Sequence, residues 1–246
     1  MVRTVDYEAR KRTVLSAAIN KYIKEAAPVA SRGFAREFGL SSATIRSIFA
    51  ELEELGYLTH PYTSGGRVPT AKGYRYYVDS LLSQMQLLDE EKERIVDEYK
   101  DRIDKIEDVL DRTSGVISAV TRYAGITSFL DWHDKYFYKG ISLILSQPEF
   151  RDTEKIRLLV KMIEDKQDLL KIINRDIKAD KAKVYIGREM ECHTMQDCSL
   201  IVTSYRINGK PQGRIAVLGP TRMEYEHIIP ALEYVSDVVS EVLDRT

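Results

Sequence analysis

Apolar residues recur every three or four positions along most of this chain. Where that rhythm fails, turn formers or two-residue alternation take over. Val14, Leu15, Ala18, Ile19, Tyr22 and Ile23 predict a first helix over residues 7–25, closed by Ala26-Ala27-Pro28-Val29. Ser31 is placed to cap a second helix ending near Phe38. Gly39-Leu40 supplies a sharp turn, after which Ile45, Ile48, Phe49, Leu52 and Leu55 mark one face of a third helix. Either Ser41 or Ser42 can cap that helix, because a serine oxygen satisfies free amides of the first turn. Gly56 ends it. Tyr57-Leu58-Thr59 and Arg67-Val68 then read as two strands around the turn-forming 61–66, with Pro69 stopping the second. A helix opening at Ala71 carries three tyrosines and two cations, the tyrosines suited to packing and Lys72 and Arg75 to water.

Downstream, Leu82, Met85, Leu88, Ile95, Tyr99, Ile103, Ile106 and Leu110 predict a connecting helix that can also help dimerisation. Residues 116–129 are apolar between Gly115 and Gly125 without declaring helix or strand, and 140–145 are equally ambiguous. Asp152 or Thr153 caps a helix running to about 173, and 182–187 read as a strand. Asn208-Gly209 joins strands 199–205 and 213–218 as a hairpin, and a last helix covers roughly 224–243. Helices beside an antiparallel hairpin make the fold class α+β. The chain divides as a winged helix-turn-helix domain at 1–80, a helical linker at 81–112 and an α+β domain at 113–246.

The N-terminal pattern of helix, turn, helix and hairpin points to duplex DNA. The stripe on the third helix alone would suit any surface helix; the hairpin directly behind it is a wing. With the stripe facing inward, Ser42, Thr44, Arg46 and Ser47 are left near the outward N-terminal end, the part of such a helix that meets base edges. Thr63, Ser64, the Gly66 amide and Arg67 are the wing's candidates for phosphates or the minor groove. Ser31, Arg32, Ser41, Lys72 and Arg75 complete the DNA-facing set, and Arg36 and the Arg10-Lys11-Arg12 run are further cations. Charge agrees: residues 1–80 hold 12 Lys/Arg against 8 Asp/Glu, whereas the remainder holds 25 against 30. A basic head on an acidic body confines phosphate binding to the N-terminal domain.

Other chemistries find little support. His60, His133, His193 and His227 are scattered without a nucleophile or carboxylate arrangement, so no catalytic residues are assigned and the chain is not expected to be an enzyme. Cys192 and Cys198 have only His193 nearby, which argues for reduced thiols in a cytoplasmic protein rather than a metal site. No cofactor motif is present, and no opening signal segment or bilayer-length apolar run is seen.

The stretch SSATIRSIFAELEELGYLTHPYTSGGRVPTAKGYRYYVD resembles the winged-helix domain of HrcA, the family of heat-inducible transcription repressors of bacteria. Tyr22-Ile23 and Pro28-Val29-Ala30-Ser31-Arg32 extend the likeness upstream. It resumes at Gln147-Pro148-Glu149-Phe150, Tyr185-Ile186-Gly187-Arg188-Glu189, Cys198-Ser199-Leu200-Ile201 and 219–225. The resemblance implies a GAF-like C-terminal domain and a homodimer on the inverted-repeat operator called CIRCE, ahead of chaperone genes. It also implies a chaperonin that keeps the repressor active until heat diverts it to other clients. Three departures stand out. Residues 115–136 are much shorter than in typical members, which implies that part of the sheet and an inserted dimerisation subdomain are missing or replaced. Ser47 stands where Asn is usual, which can shift base preference. Tyr62 and Gly65 replace a usual His and Ala in the wing. Two alternatives are a ligand-gated regulator, with a small molecule in the C-terminal domain, and a winged helix used as a protein-interaction module.

Overall fold

The computed structural model describes residues 2–62, 66–81, 86–99, 105–132, 135–177, 179 and 181–245. Thr63, Ser64 and His133 lie outside the described residues. The chain forms two compact units, Met1–Ser83 and Gln84–Thr246.

The first unit is built on α1 (Val2–Glu25), α2 (Ser31–Glu37) and α3 (Ser42–Glu54). Val14, Leu15, Ala18 and Ile19 of α1 are buried with Phe34 of α2 and with Ile45, Ile48, Phe49 and Leu52 of α3, the stripe expected from the spacing. Phe34 sits edge-on to Phe49 at 5.6 Å. Ala30, not Ser31, occupies the cap position of α2 and offers no side-chain cap; Ser31 is already helical. Then come β1 (Leu58–Thr59), β2 (Val68–Pro69) and α4 (Ala71–Leu81). The two strands pair antiparallel with Leu58 opposite Pro69 and Thr59 opposite Val68. Pro69 therefore belongs to the second strand, tolerated there because this short ladder leaves it an edge.

The second unit carries a five-stranded antiparallel sheet in the order β4-β3-β7-β6-β5. Its strands are β3 (Ala124–Phe129), β4 (Tyr136–Lys139), β5 (Lys183–Ile186), β6 (Cys198–Ile207) and β7 (Lys210–Pro220). α5 (Asp89–Asp97) and α6 (Ile106–Thr121) precede the sheet, so the described residues of 81–112 hold α5 and the first part of α6, where one connecting helix is expected from the spacing. Contacts tie the two helices together: Tyr99 is buried and donates its hydroxyl to Thr113, while Arg112 donates to the Glu98 carbonyl. Burial pushes the Tyr99 phenol well above its ordinary pKa. α6 and α10 (Tyr225–Asp244) cover one face of the sheet, where Thr127 of β3 donates to the Leu110 carbonyl of α6.

The other face packs on α7 (Ile141–Leu145), α8 (Thr153–Glu164) and α9 (Lys166–Ile173), where Ile126, Leu200, Val202, Ala216 and Leu218 meet Leu159, Leu169 and Ile173. With both faces covered, β6 and β7 are buried along eight consecutive residues each rather than at alternate ones. One charged side chain enters this core. Arg214 of β7 is 1% exposed and donates to the carbonyls of Ile173 and Arg175 at the end of α9 and to the Ser204 hydroxyl. Burial lowers its pKa to about 10. Three segments of the sequence resemblance also meet in this unit: Arg222 pairs with Glu149 at 2.5 Å and donates to Gln147 at 2.8 Å, and Ser199 shares a hydrogen bond with Tyr225 at 2.7 Å.

Candidate nucleic-acid interface

The interface starts from the turn that throws α3 outward. Gly39 at φ +62° reverses the chain after α2, and Ser41 takes the cap position, its hydroxyl accepting from the Thr44 amide at 3.0 Å. The hydroxyls of Ser41 and Thr44 also hydrogen-bond each other at 2.9 Å, so both serve the helix start before any ligand arrives. Ala43, Arg46, Ser47 and Ala50 are exposed on the following two turns. Their spacing of three, one and three residues lays them along one helical face. The side chain of Arg46 has no intramolecular partner among the described residues, and the same holds for exposed Arg32 and Arg36 on α2.

The outer face is anchored on its flank. Tyr7 of α1 donates to Glu51 of α3 at 2.5 Å, and Lys11 lies 3.5 Å from the same carboxylate. The hydrogen bond to Glu51, then burial, raises the Tyr7 pKa, so the phenol keeps its proton and remains a donor. Ser47 is exposed on the outer face. Ser42 and Thr44 are half-buried.

At the opposite end of α3 the structure gives the expected cations internal partners. Arg67 holds Glu53 at 3.0 Å through Nε, while its backbone amide and carbonyl pair with Val29 at 2.9 and 2.8 Å. Lys72 donates to the Leu55 carbonyl at 2.8 Å and lies 4.8 Å from the Tyr57 ring centre, a cation placed on the negative end of α3. Thr70 caps α4 through the Gly73 amide and donates to the Gly56 carbonyl at 2.6 Å. Arg75 reaches Asp79 on its own helix at 3.4 Å. Of the cations placed in the DNA-facing set, Arg67 and Lys72 thus have tertiary partners within the folded unit. Arg46 and the Leu55 carbonyl are nine residues apart, about 13 Å along the helix, so the candidate set splits into a free N-terminal group and a bound C-terminal one.

Sequence reasoning missed Ala43 and Ala50, although their spacing around Arg46 and Ser47 carried the signal. Small side chains let a helix approach base edges closely, and an alanine methyl can meet a thymine methyl. Tyr62, 72% exposed on the wing, was also missed as a candidate contact.

The wing's base leaves no room for a side chain at Gly66. A Cβ there would stand 2.7 Å from the Val29 carbonyl oxygen and 2.8 Å from the Pro28 carbonyl carbon, both backbone atoms. Gly66→Ala is therefore expected to break the Val29–Arg67 bridge and destabilise the first unit by about 1–3 kcal/mol. Chemical denaturation followed by circular dichroism measures it; an unchanged midpoint would show that the bridge yields without cost.

Comparison with known proteins supports both halves of this picture. Residues 7–82 match the family model described as "Winged helix-turn-helix transcription repressor, HrcA DNA-binding", and residues 127–229 match "HrcA protein C terminal domain". The chain belongs to the HrcA family. It is a transcription repressor with a winged-helix DNA-binding domain, and its homologues are named as repressors rather than enzymes. Relatives named "Heat-inducible transcription repressor HrcA" include that of Brevibacillus brevis, 27% identical over 95% of this chain and 97% of the relative. That of Acetivibrio thermocellus is 29% identical over 97% of each. The Brevibacillus alignment runs to 333 positions, 87 more than the 246 residues of this chain, so the HrcA-family fold is here reached with a shorter body. A solved structure titled "Crystal structure of a hypothetical protein at 2.2 A resolution" has the same fold at a TM-score of 0.80, 18% identical over 96% of this chain and 98% of that one. Among the described residues no helix is long and apolar enough to cross a membrane, and no group of three His, Cys, Asp or Glu could hold a metal ion.

Proposed function

We propose that this HrcA-family repressor is heat-inducible, acts in the cytoplasm and binds a CIRCE-type inverted repeat as a homodimer, occluding promoter DNA of chaperone genes. The observation that carries the reading is the exposed N-terminal face of α3, where Ala43, Arg46, Ser47 and Ala50 present one unpaired guanidinium among small side chains. Arg32 and Arg36 on α2 supply phosphate partners beside it, and Ser31, Ser41, Ser42 and Thr44 are hydroxyl candidates at the same end. Thr63, Ser64 and Arg75 are the wing-side candidates, and Arg67 and Lys72 stand on the same side in contact with internal partners. A two-fold operator follows from a two-fold protein, because each recognition helix reads one half-site. Heat-inducibility comes from the names of the relatives, and chaperonin maintenance from the resemblance of the motifs.

Fluorescence anisotropy on the full repeat, a half-site and a scrambled duplex at two salt concentrations tests this. Tight, salt-sensitive binding of two protomers to the full repeat alone is expected. Equal, weak binding to all three would remove the operator assignment. A second reading has one observation in its favour. The second unit carries an open groove of about 690 Å³ whose lining mixes apolar Ile95, Val116 and Val120 with charged groups of both signs, among them Arg94, Arg122 and Glu98, which suits a small-molecule effector. A metabolite that raises the melting temperature and alters operator affinity would favour that reading.

A further inference from the structure

Glu53 sits where helix physics does not favour it. It lies in the last turn of α3, next to Glu54 and with no basic residue in that turn, so its carboxylate faces the negative end of the helix dipole. Two side chains from the wing account for its position. One carboxylate oxygen contacts Nδ1 of His60, which leaves β1, and the other lies 3.0 Å from Nε of Arg67, which enters β2. The Glu53 and Arg67 side chains are 26% and 22% exposed, so the pair is largely withdrawn from water. Arg67 is fixed twice, since its backbone also bridges to Val29 through two hydrogen bonds. One carboxylate therefore gathers both arms of the wing onto the recognition helix.

We infer that Glu53 is a positioning residue for DNA binding: it locks the wing to α3 so that helix and wing engage the duplex as one body, and Arg67 acts through this lock instead of at a phosphate. The inference rests on the duplex-binding reading above. It follows from charge bookkeeping as well as geometry. An arginine already neutralised by a carboxylate releases few counterions when DNA arrives, so it contributes little to salt dependence. A phosphate-binding arginine would carry its full share.

The test uses the whole chain with a CIRCE-type duplex and a scrambled duplex, read by anisotropy over a salt series, by hydroxyl-radical footprinting and by thermal unfolding. Glu53→Gln keeps the side chain's size and is expected to weaken binding on the order of tenfold. The salt slope does not fall, since the substitution removes no cation, and protection is lost on the wing side of the footprint while the recognition-helix side persists. Arg67→Ala should match it, and the double variant should be no worse than either single one, as for two parts of one device. Arg46→Ala, a loss at the helix itself, should keep wing-side protection. A fall in salt slope of about one on Arg67→Ala would overturn the inference, because it marks a phosphate contact. So would wild-type affinity of Glu53→Gln, or a lower melting temperature with protection fading evenly, which marks a folding role only. If Glu53→Gln does not fold, the slope for Arg67→Ala decides alone. Absence of salt-sensitive binding by the unsubstituted protein on either duplex would instead remove the DNA reading itself, and the role with it.

Discussion

Replacing Arg214 with methionine is expected to destabilise the C-terminal unit by about 3 kcal/mol, the largest loss from any single side chain considered. The guanidinium is 1% exposed and gives three hydrogen bonds of 2.6–2.8 Å, to the carbonyls of Ile173 and Arg175 and to the Ser204 hydroxyl. The Ile173 carbonyl belongs to the last residue of α9, where orphan acceptors need donors from outside the helix, and the Arg175 carbonyl lies in the turn that follows. Each buried acceptor left without a partner costs about 1–3 kcal/mol. Some of that is offset because a desolvated cation is removed as well; burial is the cause that lowers its pKa to about 10. Methionine replaces much of the apolar volume but none of the donors. Lysine restores charge without the fork and should recover less than half, because an ammonium cannot aim along three fixed directions. Urea denaturation of the parent and both variants measures this; equal midpoints for parent and methionine would show that the end of α9 finds other donors.

That role was not legible in the sequence, and the reason is physical. A lone arginine in an apolar strand is ordinarily assigned to water, and only the tertiary return of α9 supplies its acceptors. The same distinction separates the rest of the fold. α3, the hairpin between β6 and β7 and the last helix were read closely, because capping, periodicity and the Asn208-Gly209 turn are local signals. β3 and β4 were not assigned: their pairing partners lie in each other and in β7, where Ile126 meets Tyr138 and Ala216 across the sheet. The helix expected over 153–173 is two, broken at Asp165 between α8 and α9. Within the site, Arg46 was identified from the stripe it avoids. The partners of Arg67 and Lys72, Glu53 and the Leu55 carbonyl, are 14 and 17 residues away, out of reach of any pattern argument.

The distribution of free and bound cations gives the interface a direction. Exposed Arg32, Arg36 and Arg46 lie on α2 and the first turns of α3, whereas Arg67 and Lys72 are held at the far end of α3. The excess of 12 basic over 8 acidic residues in 1–80 is therefore not spread over the domain as available charge. Part of it, on Arg32, Arg36 and Arg46, stands where the helix N-terminus already favours anions, so charge and helix dipole act together at that end of α3.

Arg46→Ala is accordingly expected to weaken operator binding by about 1–3 kcal/mol while leaving stability unchanged. The side chain is exposed and has no intramolecular partner among the described residues, so its removal takes nothing from the fold. Its worth on DNA depends on what it meets. An arginine that forks onto a guanine edge discriminates between sequences, and its loss lowers affinity for the operator more than for a scrambled duplex. Arg46→Lys keeps the charge but not the fork, and should resemble Arg46→Ala on the operator while remaining near wild type on scrambled DNA. Anisotropy titrations on both duplexes at matched salt separate the cases. An equal loss on both, with a salt slope reduced by about one, would make Arg46 a phosphate contact and move the reading of bases to Ser47 and the alanine methyls beside it. No loss on either would take α3 out of the groove, and with it the premise that this winged helix recognises its operator through the face that the fold leaves open.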